Sequence, residues 1–201
     1  ELLDELQKQL PGAEILITKT DVSNEADCKL LIEETIKRFG RIDVLINNAG
    51  ISMRALFEDV DLNVIRQLME VNFFGTVYCS KYALPYLLET KGSLVGVISI
   101  AGYVGLPGRT GYSASKFAIR GFLDTIRIEN LKKGLHVLVA APGFTASEVR
   151  KVALTGDGSH QGETPRNEEK MMSSEECAYH IVKAIEKRKR ELILTFVEGK
   201  L

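Results

Sequence analysis

The 201-residue sequence is short of several things that usually announce a function. It has only three cysteines, Cys28, Cys79 and Cys177, scattered and odd in number. That argues against a disulfide framework or a cysteine metal site. It favours reduced, mostly buried thiols in a cytoplasmic compartment. The three histidines, His136, His160 and His180, have no ligand spacing and read as structural or surface residues, so no metal is expected. No apolar run approaches about 18 residues, so no membrane span is expected. The opening residues do not read as a basic-then-apolar leader, and no Asn-x-Ser/Thr site occurs. A net charge of −1 gives no positive excess, which argues against a nucleic-acid surface.

What is present suits a packed domain. Hydrophobic residues make up 45% and charged residues 26%, enough for a core and too apolar for disorder. The length suits a single domain over 1–201, or a large part of one.

Along the chain, helix and strand signals alternate. Residues 2–10 are apolar at helical spacing and stop at Pro11-Gly12. "EILITKTDV" reads as a buried strand ending near Asp21. Ser23 or Asn24 caps a helix through Phe39, closed by Gly40. "IDVLINNAG" is a strand running into Asn-Asn-Ala-Gly, and 61–89 is helical with Gly75 and Pro85 as interruptions. "SLVGVISI" and "LHVLVAAPG" are strands flanking a helix over 112–132 that Gly134 closes. Ser173 or Ser174 caps a helix to about Arg188, and "ELILTF" is a last strand. The charged run 186–191 reads as a solvated helix end. The strands are continuous apolar runs, the mark of a parallel sheet covered on both faces. The fold expected is therefore α/β, with a Rossmann-like doubly wound parallel sheet.

Ligands of such sheets bind beyond the carboxyl ends of the strands. Those ends carry Asp21-Val22, Asn47-Asn48-Ala49-Gly50, Ser99 and Pro142-Gly143. Any one alone reads as an ordinary turn. Small and polar residues sit at every one of these ends, where a backbone must approach a ligand closely. Ser99 ends the strand before the helix that opens with Tyr112 and Lys116, four apart and hence on one face. A nearby ammonium lowers a phenol's pKa, giving a proton donor and acceptor useful near neutral pH. The small residues at 111 and 113–115 leave room for a flat ligand.

At these residues the sequence resembles the short-chain dehydrogenase/reductase (SDR) family. The ordered set carries the resemblance: Asn47-Asn48-Ala49-Gly50, Asn72 in "VNFFG", Ser99 in "ISIAG", Tyr112-Ser-Ala-Ser-Lys116 and Pro142-Gly143. Alone, Asn72 would read as a helix-kink residue and Asp21 as a turn or cap. The resemblance implies an oxidoreductase that interconverts a carbonyl and an alcohol with NADP or NAD, NADP slightly preferred. Tyr112 would be the general acid and base. Lys116 would lower the phenol's pKa and hold the nicotinamide ribose. Ser99 would orient the substrate carbonyl, and Asn72 would hold a water behind Lys116. Asp21 and Val22 would contact the adenine, and Asn47, Ala49 and Gly50 its ribose. Pro142, Gly143 and Thr145 would lie against the nicotinamide, and Ser147 would reach the carboxamide. The substrate would be an apolar small molecule and the protein a homodimer or homotetramer packed through 72–89 and 112–132.

The sequence departs from the family pattern at its front. The first strand, the glycine-rich turn that cradles a pyrophosphate, and its helix are missing, so the sequence is expected to be part of a longer protein. A C-terminal segment is expected to be missing too. Ser147 stands where the family often has threonine, and Ile100 where a small or polar residue is common. The region 145–173 resembles the family's mobile lid over the substrate, with Val149, Leu154, Met171 and Met172 as an adaptable apolar wall. "PGFTASEVR" and this lid resemble the steroid- and retinoid-type members. Two other classes fit parts of the pattern. Ser113-x-x-Lys116 matches an acyl-enzyme motif whose other elements, Ser-Asp-Asn and Lys-Thr-Gly, are absent. A non-catalytic binding or scaffold protein could retain the tetrad as a relic.

Overall fold

Four parallel strands lie side by side in chain order: β1 (Val44–Asn47), β2 (Ser93–Val97), β3 (His136–Pro142) and β4 (Glu191–Leu194). The computed structural model describes residues 2–147, 149, 151–162 and 171–195. The helices are α1 (Leu2–Gln9), α2 (Glu25–Phe39), α3 (Leu62–Leu68), α4 (Gly75–Thr90), α5 (Thr110–Glu129) and α6 (Ser174–Glu186).

Alternation along the strands shows how the sheet is covered. Leu94 and Ile98 with Val137, Val139 and Ala141 point to one side, into a core shared with Ile32, Ala83, Leu87, Ile119, Leu123 and Ile126 of α2, α4 and α5. Val95, Leu138 and Ala140 point the other way, onto Cys177, Ile181 and Ala184 of α6. Each fully buried aliphatic side chain contributes about 1.5–3 kcal/mol. The sheet is thus doubly wound, and β3 is apolar from Val137 onward because both of its faces are buried. Gly96 lets α5 close on the sheet, since a Cβ there would stand 2.3 Å from Leu123 Cδ1. On the α6 side the cover does not reach β1, where Val44 and Ile46 remain exposed.

The expected caps form. Asn24 Oδ1 accepts from the Ala26 backbone N–H at 2.9 Å. Gly40 ends α2 in the left-handed region, at φ 74°. Ser173, not Ser174, caps α6, its Oγ accepting from the Glu176 N–H at 3.1 Å. All three cysteines are buried and free. His136 bonds Ser93 Oγ and the Lys189 carbonyl, the structural role expected of it.

Two expectations are corrected. Glu14–Asp21 is not a strand: nothing among the described residues pairs with it, and Leu16 and Ile17 stay exposed. An apolar run without a ladder partner gains none of the hydrogen bonds that define a strand. In 61–89, Pro85 sits inside α4 and does not end it. The interruption is a π-helical turn over Met69–Phe74, leading into Gly75. Gly75 is small because a Cβ there would lie 2.9 Å from Val22 Cβ. Phe196, at the end of the expected last strand, lies outside the described residues. Among the described residues no helix is long and apolar enough to cross a membrane.

Candidate active site

The carboxyl ends of β1, β2 and β3 open into one cavity of about 700 Å³. The start of α5 forms its side, bringing Ser99, Tyr112 and Lys116 together on the wall.

Ser99 follows β2 in extended conformation, with its Oγ accepting from the Ala101 N–H at 3.2 Å. The stretch between Ser99 and Tyr112 is braced from the far side. Tyr103 donates to Glu191 at 3.1 Å, and the Arg120 guanidinium stacks on its ring at 3.9 Å. Tyr112 lies in the first turn of α5, half-buried against Met53, Val64, Leu68 and Leu154. Gly111 lets α3 approach this closely, since a Cβ there would stand 2.9 Å from Leu68 Cδ1.

Lys116 is buried, one turn on. Its ammonium donates to the Val97 carbonyl at 3.1 Å and lies 5.7 Å from the centre of the Tyr112 ring. Burial pulls its pKa down to about 8.

Asn72 is fully buried in the π-helical turn, a feature common at functional sites. Its Oδ1 accepts from the Ile51 N–H at 2.8 Å. Its Nδ2 donates to the Ile51 carbonyl at 3.0 Å and to Ser115 Oγ at 2.9 Å. Ser115 in turn donates to the Tyr112 carbonyl at 2.8 Å. Asn72 therefore ties the Gly50–Ile51 backbone to the helix that carries the tyrosine. The small residues around Tyr112 and Lys116 serve this close packing as much as any ligand.

One electrostatic expectation is corrected. The Tyr112 phenol is raised above its ordinary value of 10, chiefly by burial, against the opposing effects of a hydrogen bond from Ser99 and the charge of Arg109.

The other candidate residues fall into two groups. Ala49, Gly50, Pro142, Gly143, Thr145 and Ser147 line the cavity with the tyrosine. The 144–146 backbone is held there by Met172 and Ser174: the Ala146 N–H donates to the Met172 carbonyl and Ser174 Oγ to the Ala146 carbonyl. Asn47, Asp21 and Val22 are not among the lining residues. Asn47 donates to Ser80 of α4 at 3.1 Å. Asp21 makes a local turn, accepting from the Ser23 N–H and hydroxyl, which lowers its pKa.

Of the expected apolar wall only Val149 lines the cavity. Leu154 and Met172 are buried in packing clusters. Part of the expected lid is tied down: Arg54 N–H bonds the Leu154 carbonyl at 2.7 Å and Asp61 N–H the Gly156 carbonyl at 2.8 Å. Residues 163–170 of that region lie outside the described residues. Ser113, the nucleophile of the acyl-enzyme pattern, is buried and does not line the cavity.

The sequence reading missed Arg109 and Ser52, both on the cavity wall, and gave Asn48 no role of its own although it lies there too. Arg109 left a faint signal, a lone cation in "LPGRTGY" just before the tyrosine.

The short chain dehydrogenase family matches residues 1–157. The chain belongs to the short-chain dehydrogenase family. It is 35% identical over 200 residues to dehydrogenase/reductase SDR family member 7B of Mus musculus, covering 96% of this chain and 62% of that protein. It is 37% identical over 150 residues to 11-beta-hydroxysteroid dehydrogenase-like 2 of Arabidopsis thaliana, covering 74% of this chain and 48% of that protein. The chain therefore spans about half to three-fifths of the length of these relatives. Among solved structures, a short-chain dehydrogenase from Streptomyces avermitilis superposes with a TM-score of 0.83 at 26% identity, covering 96% of this chain and 75% of that one. An alcohol dehydrogenase from Thermococcus sibiricus, complexed with 5-hydroxy-NADP, shares the fold at a TM-score of 0.82 and 24% identity, covering 99% of this chain and 84% of that one. These likenesses agree with the Rossmann-like α/β architecture.

Proposed function

We propose that the protein is an NAD(P)-dependent oxidoreductase that interconverts a carbonyl and an alcohol. The observation that carries this reading is the convergence of Ser99, Tyr112 and Lys116 on one cavity at the carboxyl end of a parallel sheet. Family membership supports it.

The residues fit the nicotinamide end of a dinucleotide. Lys116 uses one of its three ammonium donors on Val97, leaving two for a sugar hydroxyl. Gly50, Ala49 and Gly143 give a wall without bulk. Lys116 and Tyr112 would hold the ribose, Pro142, Gly143 and Thr145 the ring, and Ser147 the carboxamide. A bound nicotinamide supplies the hydride acceptor or donor. The chain's own residues do the rest. Ser99 orients the substrate oxygen through its hydroxyl. Tyr112 delivers a proton from its phenol oxygen during reduction and receives one during oxidation. Asn72 keeps the Ile51 backbone and α5 in register, which holds the phenol in place.

Val149 marks the substrate side of the cavity, and with Leu106, Phe144 and Ile51 it suits an apolar substrate. Exposed Phe74, at the end of the π-helical turn, and Phe117 and Ile128 on α5 support a homodimer or homotetramer. Free, buried thiols suit a cytoplasmic setting.

The test is a turnover screen of the full-length protein with NADPH and NADH over a panel of apolar ketones and aldehydes. The reading expects oxidation of one cofactor, lost in Tyr112→Phe. A Tyr112→Phe variant as active as the wild type would remove the tyrosine from the acid role.

A further inference from the structure

The basic run that closes α6 does not stand alone. α4, α5 and α6 lead into β2, β3 and β4, and their connections meet at the amino end of the sheet, opposite the cavity. These connections are 91–92, 130–135 and 187–190. They carry seven cations, Lys91, Lys132, Lys133 and Lys187 through Arg190, all exposed, and no carboxylate. The rest of the chain is net acidic. Three helix C-termini converge here, and their partial negative charge favours cations held close together.

Arg188 ties the three connections into one face. Its Nη1 donates to the Lys91 carbonyl at 3.1 Å and its Nη2 to the Gly134 carbonyl at 2.7 Å. The Lys91 stem lies against Gly134, where a Cβ would stand 3.2 Å from Lys91 Cγ. The His136 N–H donates to the Gly92 carbonyl at 2.9 Å, and its ring bonds the Lys189 carbonyl at 2.8 Å. Lys91 and Arg188 are also the only non-glycine residues at positive φ among the described residues, at 51° and 47°. Glycine is the usual residue in that conformation at a helix end, as at Gly40. Here the chain accepts the strain and keeps two cations.

The neighbouring carboxylates do not neutralise the face. Asp43 pairs with Arg41 at 2.6 Å, Glu186 with Lys183 at 2.8 Å, and Glu191 accepts from Tyr103. Among the described residues none of the seven cations has a carboxylate partner. In their midst Leu131 stands 62% exposed, next to Lys132 and Lys133. The three connections hold no aromatic ring on which a nucleic-acid base could stack. The Arg188 fork is spent on two carbonyls, so the free charge is mainly lysine ammonium. Lysines around an exposed aliphatic side chain match a bilayer surface, with anionic headgroups above and acyl chains below.

We propose that this face docks the protein peripherally on an anionic membrane surface, with the cavity turned away from the lipid. The test is co-sedimentation of the full-length protein with phosphatidylcholine vesicles and with vesicles containing about 30% phosphatidylserine. The readout is the ratio of the two partition coefficients, so binding through any other part of the protein cancels. The ratio should exceed about 10 at low salt and fall toward one as NaCl rises from about 50 to about 500 mM. Each cation is worth roughly fivefold at such a surface. Replacing Lys132, Lys133, Lys187 and Lys189 by glutamine together should therefore bring the ratio to within about threefold of one, with Tm unchanged. The same four positions changed to arginine should keep it. Leu131→Ala should weaken binding to the anionic vesicles about 3- to 10-fold without altering its salt dependence. A wild-type ratio near one, or a ratio unchanged in the folded glutamine variant, overturns the proposal. So does binding of short duplex DNA, abolished by the four glutamines, without a preference between the vesicles; that result would assign the face to nucleic acid.

Discussion

Gly50 and Lys116 meet where a side chain would otherwise stand. A Cβ on residue 50 would lie 3.4 Å from Lys116 Nζ and 3.0 Å from Asn72 Oδ1. The last glycine of Asn-Asn-Ala-Gly is therefore space for the ammonium as well as part of the cavity wall.

Gly50→Ala follows directly. The tight contact is with Asn72 Oδ1, which three hydrogen bonds hold, so the methyl is relieved by a shift of a few tenths of an ångström between the Gly50–Ile51 backbone and Asn72, beside Lys116. Where 1 Å costs about 100-fold, a shift that small should lower kcat/KM by roughly 2- to 10-fold. Thermal melting should change little. Steady-state kinetics and a melt on the same sample check both expectations; a large drop in Tm with normal kcat/KM contradicts the assignment.

Lys116 is destabilising in the ligand-free protein. Its pKa falls from 10.5 unfolded to about 8 folded, so between those values the unfolded chain holds the extra proton and stability rises with pH. Below pH 8 the penalty is complete, about 3 kcal/mol, and above 10.5 it is gone. Lys116→Met should be more stable than wild type at pH 7, by about 1–3 kcal/mol, with the difference closing as pH rises toward 10.5. Urea unfolding of both proteins across this range measures the difference directly. A variant less stable at pH 7 contradicts it.

Asn72 has the opposite character. Removing its amide leaves the Ile51 N–H and carbonyl without their partner and frees Ser115. Asn72→Ala should lose about 2–4 kcal/mol of stability, measured by denaturant unfolding. A loss under about 0.5 kcal/mol would mean that the buried network does not hold the site together.

Much of this was legible in the sequence, for physical reasons that differ from residue to residue. Buried strands such as "LHVLVAAPG" show themselves because two covered faces demand apolar residues throughout. The helix ends show themselves because Asn24, Gly40 and Ser173 satisfy backbone groups that nothing else can. Tyr112 and Lys116 are readable because i and i+4 share a face. The run 14–22 misled because apolar content says nothing of whether a neighbour is there to pair. The direction of the Tyr112 phenol misled because spacing places two groups together without revealing how far burial disfavours the phenolate. Arg109 escaped notice because the bond that holds its side chain at the cavity wall comes from Ser52, on a loop more than fifty residues earlier in the sequence. Asn47 and Asp21 sit at strand and turn ends as read, yet their polar atoms are taken by Ser80 and Ser23.

The measurement that bears most directly on the account is a fluorescence titration of the full-length protein with NADPH and with NADH, repeated on Tyr112→Phe and Lys116→Ala. The account predicts saturable binding of at least one cofactor. Affinity should stay within a few fold in Tyr112→Phe, where the ring remains, and weaken clearly in Lys116→Ala, where the ribose contact is lost. Binding of neither cofactor by the wild type would contradict the oxidoreductase reading and leave the tetrad as a relic in a binding protein.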